Sequence, residues 1–205
     1  MMFYAWSNSI RLKKNDQLLG LAWQILKKNY RDSMLKDISH KEDVLVSLEK
    51  TTSELVQLLD RFDQQNINRI PFEDSWTAAQ LADHVTRSNL SITKALLLNG
   101  IAVNRDKGAR IKELKEIFLD FKTKLKSPEF IVPTKNSYER TSVLSYLKQS
   151  VEKLLEVSKR TDMSAMINHP AFGDITKFEI LHFVLYHTQR HINQLEKIFR
   201  AISGR

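Results

Sequence analysis

The amino-acid sequence predicts an all-α protein folded as a four-helix bundle. Four segments of roughly 20 residues repeat apolar side chains every three or four positions, which is the pattern of a helix with one buried face. Glycine occurs five times and proline four times in 205 residues, too few for the many turns of a β-sandwich or barrel. The apolar fraction of 42% and the charged fraction of 27% are typical of a globular domain rather than of a disordered or membrane protein.

The first two long helices are predicted between residues 39 and 100. The first begins with the capping-box sequence at 39–42 and fades in a polar run. Its apolar stripe consists of Leu45, Leu48, Leu55, Leu59 and Phe62. The second begins at Thr77, whose capping-box partner is Gln80, and ends near Gly100 as a C-cap. Its buried face is expected to hold Ala78, Leu81, Val85, Ile92, Ala95 and Leu96.

The second half of the chain is expected to hold a short helix and two more long ones. The short helix lies within residues 111–121, and two X-Pro steps after it mark a loop. The third long helix covers residues 142–160 and has an apolar side at helical spacing. A loop at residues 168–173 leads to the last helix, which opens with a Thr-x-x-Glu capping box and covers residues 176–202.

Residues 1–33 are an N-terminal extension of the domain predicted at residues 34–205. They contain six lysines and arginines against two aspartates, and so hold half of the net charge of +8. The longest apolar run in this extension is shorter than the core of a signal peptide, and no segment has transmembrane length. Three interpretations stay open: an accessory helix, an upstream stretch before a true start at Met34, and a basic amphipathic surface or mitochondrial-type anchor.

Three of the six histidines are predicted to face the bundle interior. At about 100° per residue, His187 and His191 lie on a flank of the last helix that is otherwise occupied by Ile and Val side chains. Their spacing of four places them one turn apart on the same side. His84 lies inside the apolar arc of the second long helix. Two helices therefore direct imidazoles toward the interior.

A shared metal ion is one explanation of these three histidines, and three separately satisfied core histidines are the other. Each buried imidazole needs a partner for both ring nitrogens. Three nitrogen ligands suit zinc or nickel and leave one coordination position open for water or substrate. The chain has no cysteine, which excludes disulfides, iron–sulfur clusters and thiolate ligands.

The remaining histidines are assigned lesser roles. We expect His40 to be exposed in the first turn of its helix and His182 to lie at the edge of the polar side of the last helix. His169 precedes Pro170 and is interpreted as a turn residue that could line the mouth of the site. Asp83 neighbours His84 in sequence but points about 100° away from it, so the motif supplies no obvious general base.

Three sequence motifs around these histidines resemble those of the DinB-like (YfiT-like) family. Residues 76–84, WTAAQLADH, match that family's W-[ST]-x-x-[QE]-x-x-x-H opening of the second helix. Residues 169–173, HPAFG, match its last loop, and residues 186–194, YHTQRHINQ, match its H-x-x-x-H-x-x-Q helix. The order and spacing of the motifs agree over residues 34–202, whereas residues 1–33 have no counterpart.

The resemblance implies an up-down-down-up four-helix bundle, often dimeric, that holds a divalent metal such as nickel or zinc. It implies that His84, His187 and His191 are the ligands. Gln194 lies one turn beyond His191, and Gln194 and His169 are the candidate cofactor-binding residues, while no catalytic residue is assigned. Some relatives are transferases or isomerases that use bacillithiol or mycothiol, so an external low-molecular-weight thiol is a candidate second cofactor.

The sequence and the resemblance together predict a metal-dependent enzyme that acts on a small molecule by thiol S-transfer or hydrolysis. A bound metal would lower the pKa of a water or thiol. A metal-binding stress-response protein without turnover is the alternative. We expect a cytoplasmic homodimer without a membrane or nucleic-acid partner, because basic residues in the bundle alternate with acidic ones, as in KELKE at 112–116.

Overall fold

The computed structural model describes residues 40–204, and the predicted extension at residues 1–33 lies outside them. In chain order the elements are α1 (Lys41–Asp60), α2 (Ala78–Leu97), α3 (Ile111–Leu119), α4 (Arg140–Arg160), β1 (Met166–His169), β2 (Gly173–Thr176) and α5 (Lys177–Ser203), with short 3₁₀ turns at Asn66–Asn68 and Glu129–Ile131. The long helices α1, α2, α4 and α5 form a four-helix bundle, which confirms the predicted fold class. Helix α2 packs mainly on α4, and α1 packs mainly on α5.

Capping boxes determine where α2 and α5 begin, as the sequence predicts. The hydroxyls of Thr77 and Thr176 each accept a hydrogen bond of 3.1 Å from the backbone N–H three residues later. The side chains of Gln80 and Glu179 accept in return from the threonine N–H groups, at 3.0 and 2.9 Å. Each box satisfies two N–H groups that a helix start leaves unpaired. Helix α1 begins after His40, which makes no side-chain capping bond, so it starts one residue later than the predicted box, whose Ser39 lies outside the described residues.

Helix α2 ends earlier than the predicted cap at Gly100. Its C-cap is Leu98, which has an extended backbone, because the chain then forms a β-bridge between Ile101 and Met166. A Cβ atom on Gly100 would lie 2.7 Å from the Cβ of Ala165. Glycine is therefore needed here for the close approach of two backbone segments, and not for a left-handed helix cap.

The loop predicted at residues 168–173 is part of an antiparallel hairpin. Strands β1 and β2 pair from Met166 opposite Thr176 to His169 opposite Gly173. Gly173 has a φ of 62°, a left-handed conformation that glycine adopts at little cost. Strands of four residues are too short for a clear alternating pattern, so periodicity gave no signal for them. The hairpin fixes His169 near the start of α5.

The bundle core is made of the apolar faces predicted for the long helices. Its buried members include Leu55, Leu59, Leu81, Val85, Leu147, Ile192 and Leu195. Removing this apolar surface from water is the main force that holds the helices together. Within residues 40–204, no helix combines the length and the apolar composition needed to cross a membrane.

Candidate metal centre

The structure brings together the three histidines that were predicted to face inward. His84 on α2 is 1% exposed, and His187 and His191 on α5 are each 6% exposed. The Nε2 atom of His187 lies 3.2 Å from the Nε2 atom of His84 and 3.0 Å from that of His191. Nitrogen ligands about 2 Å from a tetrahedral zinc ion would be about 3.3 Å apart, which is close to these spacings.

Hydrogen bonds to the outer nitrogens orient two of the rings. The Nδ1 atom of His84 lies 3.0 Å from the carbonyl oxygen of Ile131, and the Nδ1 atom of His191 lies 3.1 Å from Oε1 of Gln194. Both oxygens are acceptors, so Nδ1 is the protonated nitrogen in each ring and Nε2 presents a lone pair. Hydrogen bonds of this kind position histidine ligands in metal sites.

The inner nitrogens of the three rings cannot all be satisfied by one another. The Nε2 atom of His187 faces two lone pairs and carries at most one proton, so at least one buried lone pair is left without a donor. Buried polar atoms in that condition are rare and destabilising. A divalent cation that accepts all three lone pairs would remove this deficit, so the residues fit a nitrogen-ligated metal ion.

Burial lowers the pKa of all three histidines. Desolvation is the largest cause for each, and it acts together with the neighbouring imidazoles on His187, whose pKa falls well below 6.5, and on His191, whose pKa falls to about 3. For His84 desolvation outweighs the Ile131 carbonyl and the charge of Asp83, so its pKa also falls. The rings are therefore neutral at pH 7, which is the state that binds a metal.

Aromatic side chains pack around the three rings. The centroid of the Trp76 ring lies 4.9 Å from that of His84. The rings of Phe183 and Phe118 lie 5.1 and 6.0 Å from that of His187. Such packing keeps the imidazoles in one orientation and shields their polar edges from bulk water.

The histidine cluster lines a cavity of about 740 Å³. Its apolar wall includes Trp76, Phe118, Phe121, Phe130, Phe172 and Phe183. Cavities between about 300 and 1,000 Å³ with mostly apolar walls and a few polar groups are typical of small-molecule sites. An organic molecule bound in this cavity would therefore lie in contact with the histidine cluster.

The two candidate cofactor-binding residues occupy different places. Gln194 contacts His191 directly, as given above. His169 also lines the cavity and is 5% exposed, but it is outside the group of converging nitrogens. Its Nδ1 atom accepts the N–H of Ala171 at 3.1 Å, and its ring stacks on that of Phe172 at a centroid distance of 5.0 Å. The prediction that Gln194 and His169 contact a cofactor stays a prediction.

The predictions for the other polar residues had mixed outcomes. His40 is exposed, as expected. The prediction for His182 is wrong, since its side chain is 1% exposed and its Nδ1 atom donates to the carbonyl of Phe178 at 3.0 Å. The first half of α5 is covered on nearly all sides, so it has no polar edge there. Asp83 accepts from Arg87 at 2.8 Å and from the Tyr138 hydroxyl at 3.0 Å, and it is absent from the cavity wall.

Sequence reasoning missed several residues that build the site. Ile131 acts through its backbone carbonyl, which residue identity does not reveal. Phe118 and Arg190 reach the site through contacts between distant parts of the chain. A row of lysines at positions 122, 124 and 126 is visible in the sequence as a spacing of two, and that spacing could have indicated an extended basic segment.

A four-helix bundle with three buried imidazoles converging beside a cavity is an architecture suited to holding a metal ion between helices. The family model of the DinB superfamily matches residues 47–195, and this chain belongs to that superfamily. The resemblance inferred from the sequence motifs is thereby confirmed.

Known proteins are similar to this chain in sequence or in structure. The uncharacterized protein YuaE of Bacillus subtilis (strain 168) is 24% identical over 160 residues, which cover 75% of this chain and 93% of YuaE. The four-helix bundle protein TT2238 has a TM-score of 0.50 and 21% identity, covering 77% of this chain and 98% of that one. YfiT from Bacillus subtilis has a TM-score of 0.54 and 15% identity, covering 82% of this chain and 91% of YfiT. It is described as a probable metal-dependent hydrolase with an unusual four-helix bundle topology.

Proposed function

We propose that this protein is a metal-dependent enzyme, most simply a hydrolase of a small organic molecule, in which His84, His187 and His191 hold one divalent ion. The observation that supports this proposal is the convergence of three buried, neutral Nε2 atoms on the wall of a cavity. The description of YfiT as a probable metal-dependent hydrolase agrees with it. A hydrolase needs an activated water and room for its substrate. A metal ion held by the three histidines would activate the water, and the cavity beside them has room for a small substrate.

The chain itself prepares the site for such a reaction. His84, His187 and His191 would hold a divalent ion by three ligands, and the ion would have an open coordination position where it lowers the pKa of a water or thiol. Ile131 and Gln194 keep the lone pairs of His84 and His191 directed at the centre. His169 accepts a backbone N–H at Nδ1, so its proton resides on Nε2 and is available as a donor to a substrate in the cavity.

S-transfer with an external thiol is the second candidate reaction. Within residues 40–204, the group of converging ligand atoms contains no carboxylate, so no acidic side chain is placed there as a general base for water. A thiol has a pKa near 8.5, far below that of water, and it is deprotonated more readily beside a cation. The chain has no cysteine, so this thiol would have to come from outside.

A turnover screen tests the proposal. Protein reconstituted with zinc or nickel is assayed with a panel of esters and amides, and separately with a low-molecular-weight thiol and an electrophile. We expect turnover in one arm that is lost in H187A/H191A and retained in H40A, which removes an exposed histidine. The proposal would be overturned by equal turnover with and without metal, or by equal turnover in H187A/H191A and in H40A.

The same experiment separates an enzyme from a binding protein. One metal ion per chain with no turnover of any substrate would favour the non-catalytic metal-binding function. The homodimer, the cytoplasmic location and the lack of a nucleic-acid partner stay predictions.

A further inference from the structure

The cavity beside the three histidines has an apolar wall and a basic wall. The apolar wall is the aromatic set that includes Trp76, Phe118 and Phe183. The basic wall is contributed mainly by residues 120–126, which we call the basic strap. Lys122, Lys124 and Lys126 of this strap all line the cavity. Its two walls therefore suit a ligand that has both an apolar part and a charged part.

Positive charge dominates the polar lining of the cavity. Five cationic side chains line it: Lys122, Lys124, Lys126, Arg190 and Lys197. The carboxylates that line it are Glu73 and Asp74. Within residues 40–204, the three strap lysines form no ion pair that would neutralise them. Among the described residues, no carboxylate therefore competes with an entering anion for their ammonium groups.

The acidic residue of the strap does not cancel this charge. Asp120 accepts the backbone N–H of Lys122 at 3.0 Å and the hydroxyl of Thr123 at 2.5 Å. These bonds lower the pKa of Asp120 and keep it ionised, but it is absent from the cavity lining. Even with Asp120 included, cations around the cavity outnumber carboxylates.

Arg190 ties the backbone of the strap to helix α5. Its Nη1 atom donates to the carbonyl of Asp120 at 2.7 Å, and its Nη2 atom donates to the carbonyl of Thr123. Arg190 immediately precedes His191 and lies three residues after His187. The helix that supplies two of the three converging imidazoles therefore also fixes the position of the lysines.

We propose that the ligand of this cavity is an organic anion with an apolar body. Its acidic group pairs with the lysines of the basic strap, and its body lies against the aromatic wall, next to the Nε2 atoms of the histidines. This inference rests on the proposed function for the chemistry that follows binding. The binding preference itself requires no turnover and can be measured separately.

Two fluorescent probes with the same aromatic body test the proposal. Anilinonaphthalene sulfonate is an anion, and N-phenyl-1-naphthylamine is its uncharged counterpart. Both are titrated into the full-length wild-type chain, into K122Q/K124Q/K126Q, and into the control K94Q/K112Q/K148Q, which makes the same change in net charge away from the cavity. Circular dichroism verifies that the variants are folded.

We expect the wild type to bind the sulfonate about tenfold more tightly than the amine, because three neighbouring exposed lysines attract its charge. The strap variant should lose about that tenfold for the sulfonate and nothing for the amine, while the control variant should change neither. Equal affinity of the two probes, equal loss in both variants, or no binding of either probe at millimolar concentration would overturn the proposal.

Metal analysis on the same samples distinguishes this inference from the proposed function. A preserved sulfonate preference in a wild-type protein that takes up no metal would overturn the metal centre and retain the anion site. Metal uptake at one ion per chain without any sulfonate preference would overturn the anion site and retain the metal centre.

Discussion

Helix α5 contributes to two buried polar clusters that differ in how their polar atoms are satisfied. The first surrounds Glu179, which is fully buried. Its carboxylate accepts from both Nη atoms of Arg105, at 2.6 and 2.8 Å, and from the backbone N–H groups of Arg110 and Thr176, each at 2.9 Å. Both carboxylate oxygens therefore have two donors within the chain.

The second cluster is the group of His84, His187 and His191, two to three turns further along α5. Its outer nitrogens include two that have partners within the chain, whereas its inner nitrogens face one another. The contrast separates two uses of buried polarity. A cluster that the chain satisfies by itself stabilises the fold, and a cluster with converging lone pairs needs a partner from outside.

The largest effect is expected from removing the inner nitrogens. Wild-type protein should bind about one zinc or nickel ion per chain, and H187A/H191A should bind almost none. Saturation at 1,000 times the Kd would stabilise the wild type by about 4 kcal/mol, visible as a rise in Tm that a chelator reverses. The control H169A removes a cavity histidine outside the cluster and should retain the ion. If elemental analysis finds as much metal in H187A/H191A as in H169A, the assignment of His187 and His191 as ligands is contradicted.

Removing a donor from the satisfied cluster should destabilise the fold without affecting metal uptake. In R105A the Glu179 carboxylate stays buried and loses its ion pair, which costs about 3–5 kcal/mol. The free energy of unfolding is measured in urea, with K112A, which alters an exposed ion pair, as the control. A loss below 1 kcal/mol would show that water replaces Arg105 without penalty.

The same cluster predicts how stability depends on pH. Although burial tends to raise the pKa of Glu179, donation from Arg105 and from two backbone N–H groups outweighs it, and the pKa is lowered below 4.5. The stabilisation is therefore present above pH 4.5 and is lost as the pH falls through the lower pKa of the folded state. The free energy of unfolding of the wild type, measured in urea, should fall more steeply below pH 4.5 than that of E179Q. Parallel pH profiles for the two proteins would contradict this.

A smaller effect is expected from the hydrogen bond that orients His191. Q194A removes the acceptor of its Nδ1 proton and leaves all three ligands in place. Loss of such a partner typically weakens metal affinity about 10- to 100-fold. Competition with a chromophoric chelator measures the change, and Q149A, on the exposed surface of α4, should leave affinity as in the wild type. Unchanged affinity in Q194A would assign Gln194 to the cavity wall alone.

The sequence predicts the parts of this comparison that depend on short-range patterns. The spacing of His187 and His191, the position of His84 in its apolar arc and the two capping boxes all depend on neighbours within a turn or two. The partners of the clusters lie much further away, since Ile131 is 47 residues from His84 and Arg105 is 74 residues from Glu179. Periodicity contains no information on such contacts, and neither partner was predicted.

His182 shows a second limit of the same method. A helical wheel ranks directions around one helix, but it does not reveal how many neighbours surround that helix. Residues 177–188 of α5 are buried on every side, because α1, α2 and α3 all pack against this helix. A position at the edge of the apolar arc is therefore in the interior, and His182 bonds to its own helix instead of to water.

The smallest effect is expected from removing either of the two threonine caps. Thr77 and Thr176 make the same capping box, and replacement of either by alanine should cost about 1 kcal/mol. The Thr176 hydroxyl also donates to the carbonyl of Lys107 at 2.6 Å, and its backbone N–H belongs to the Glu179 cluster. T176A should therefore destabilise the protein about 1 kcal/mol more than T77A, since it also removes the partly buried hydrogen bond to the Lys107 carbonyl. Equal losses in urea unfolding would show that the cap at α5 acts independently of the cluster it adjoins.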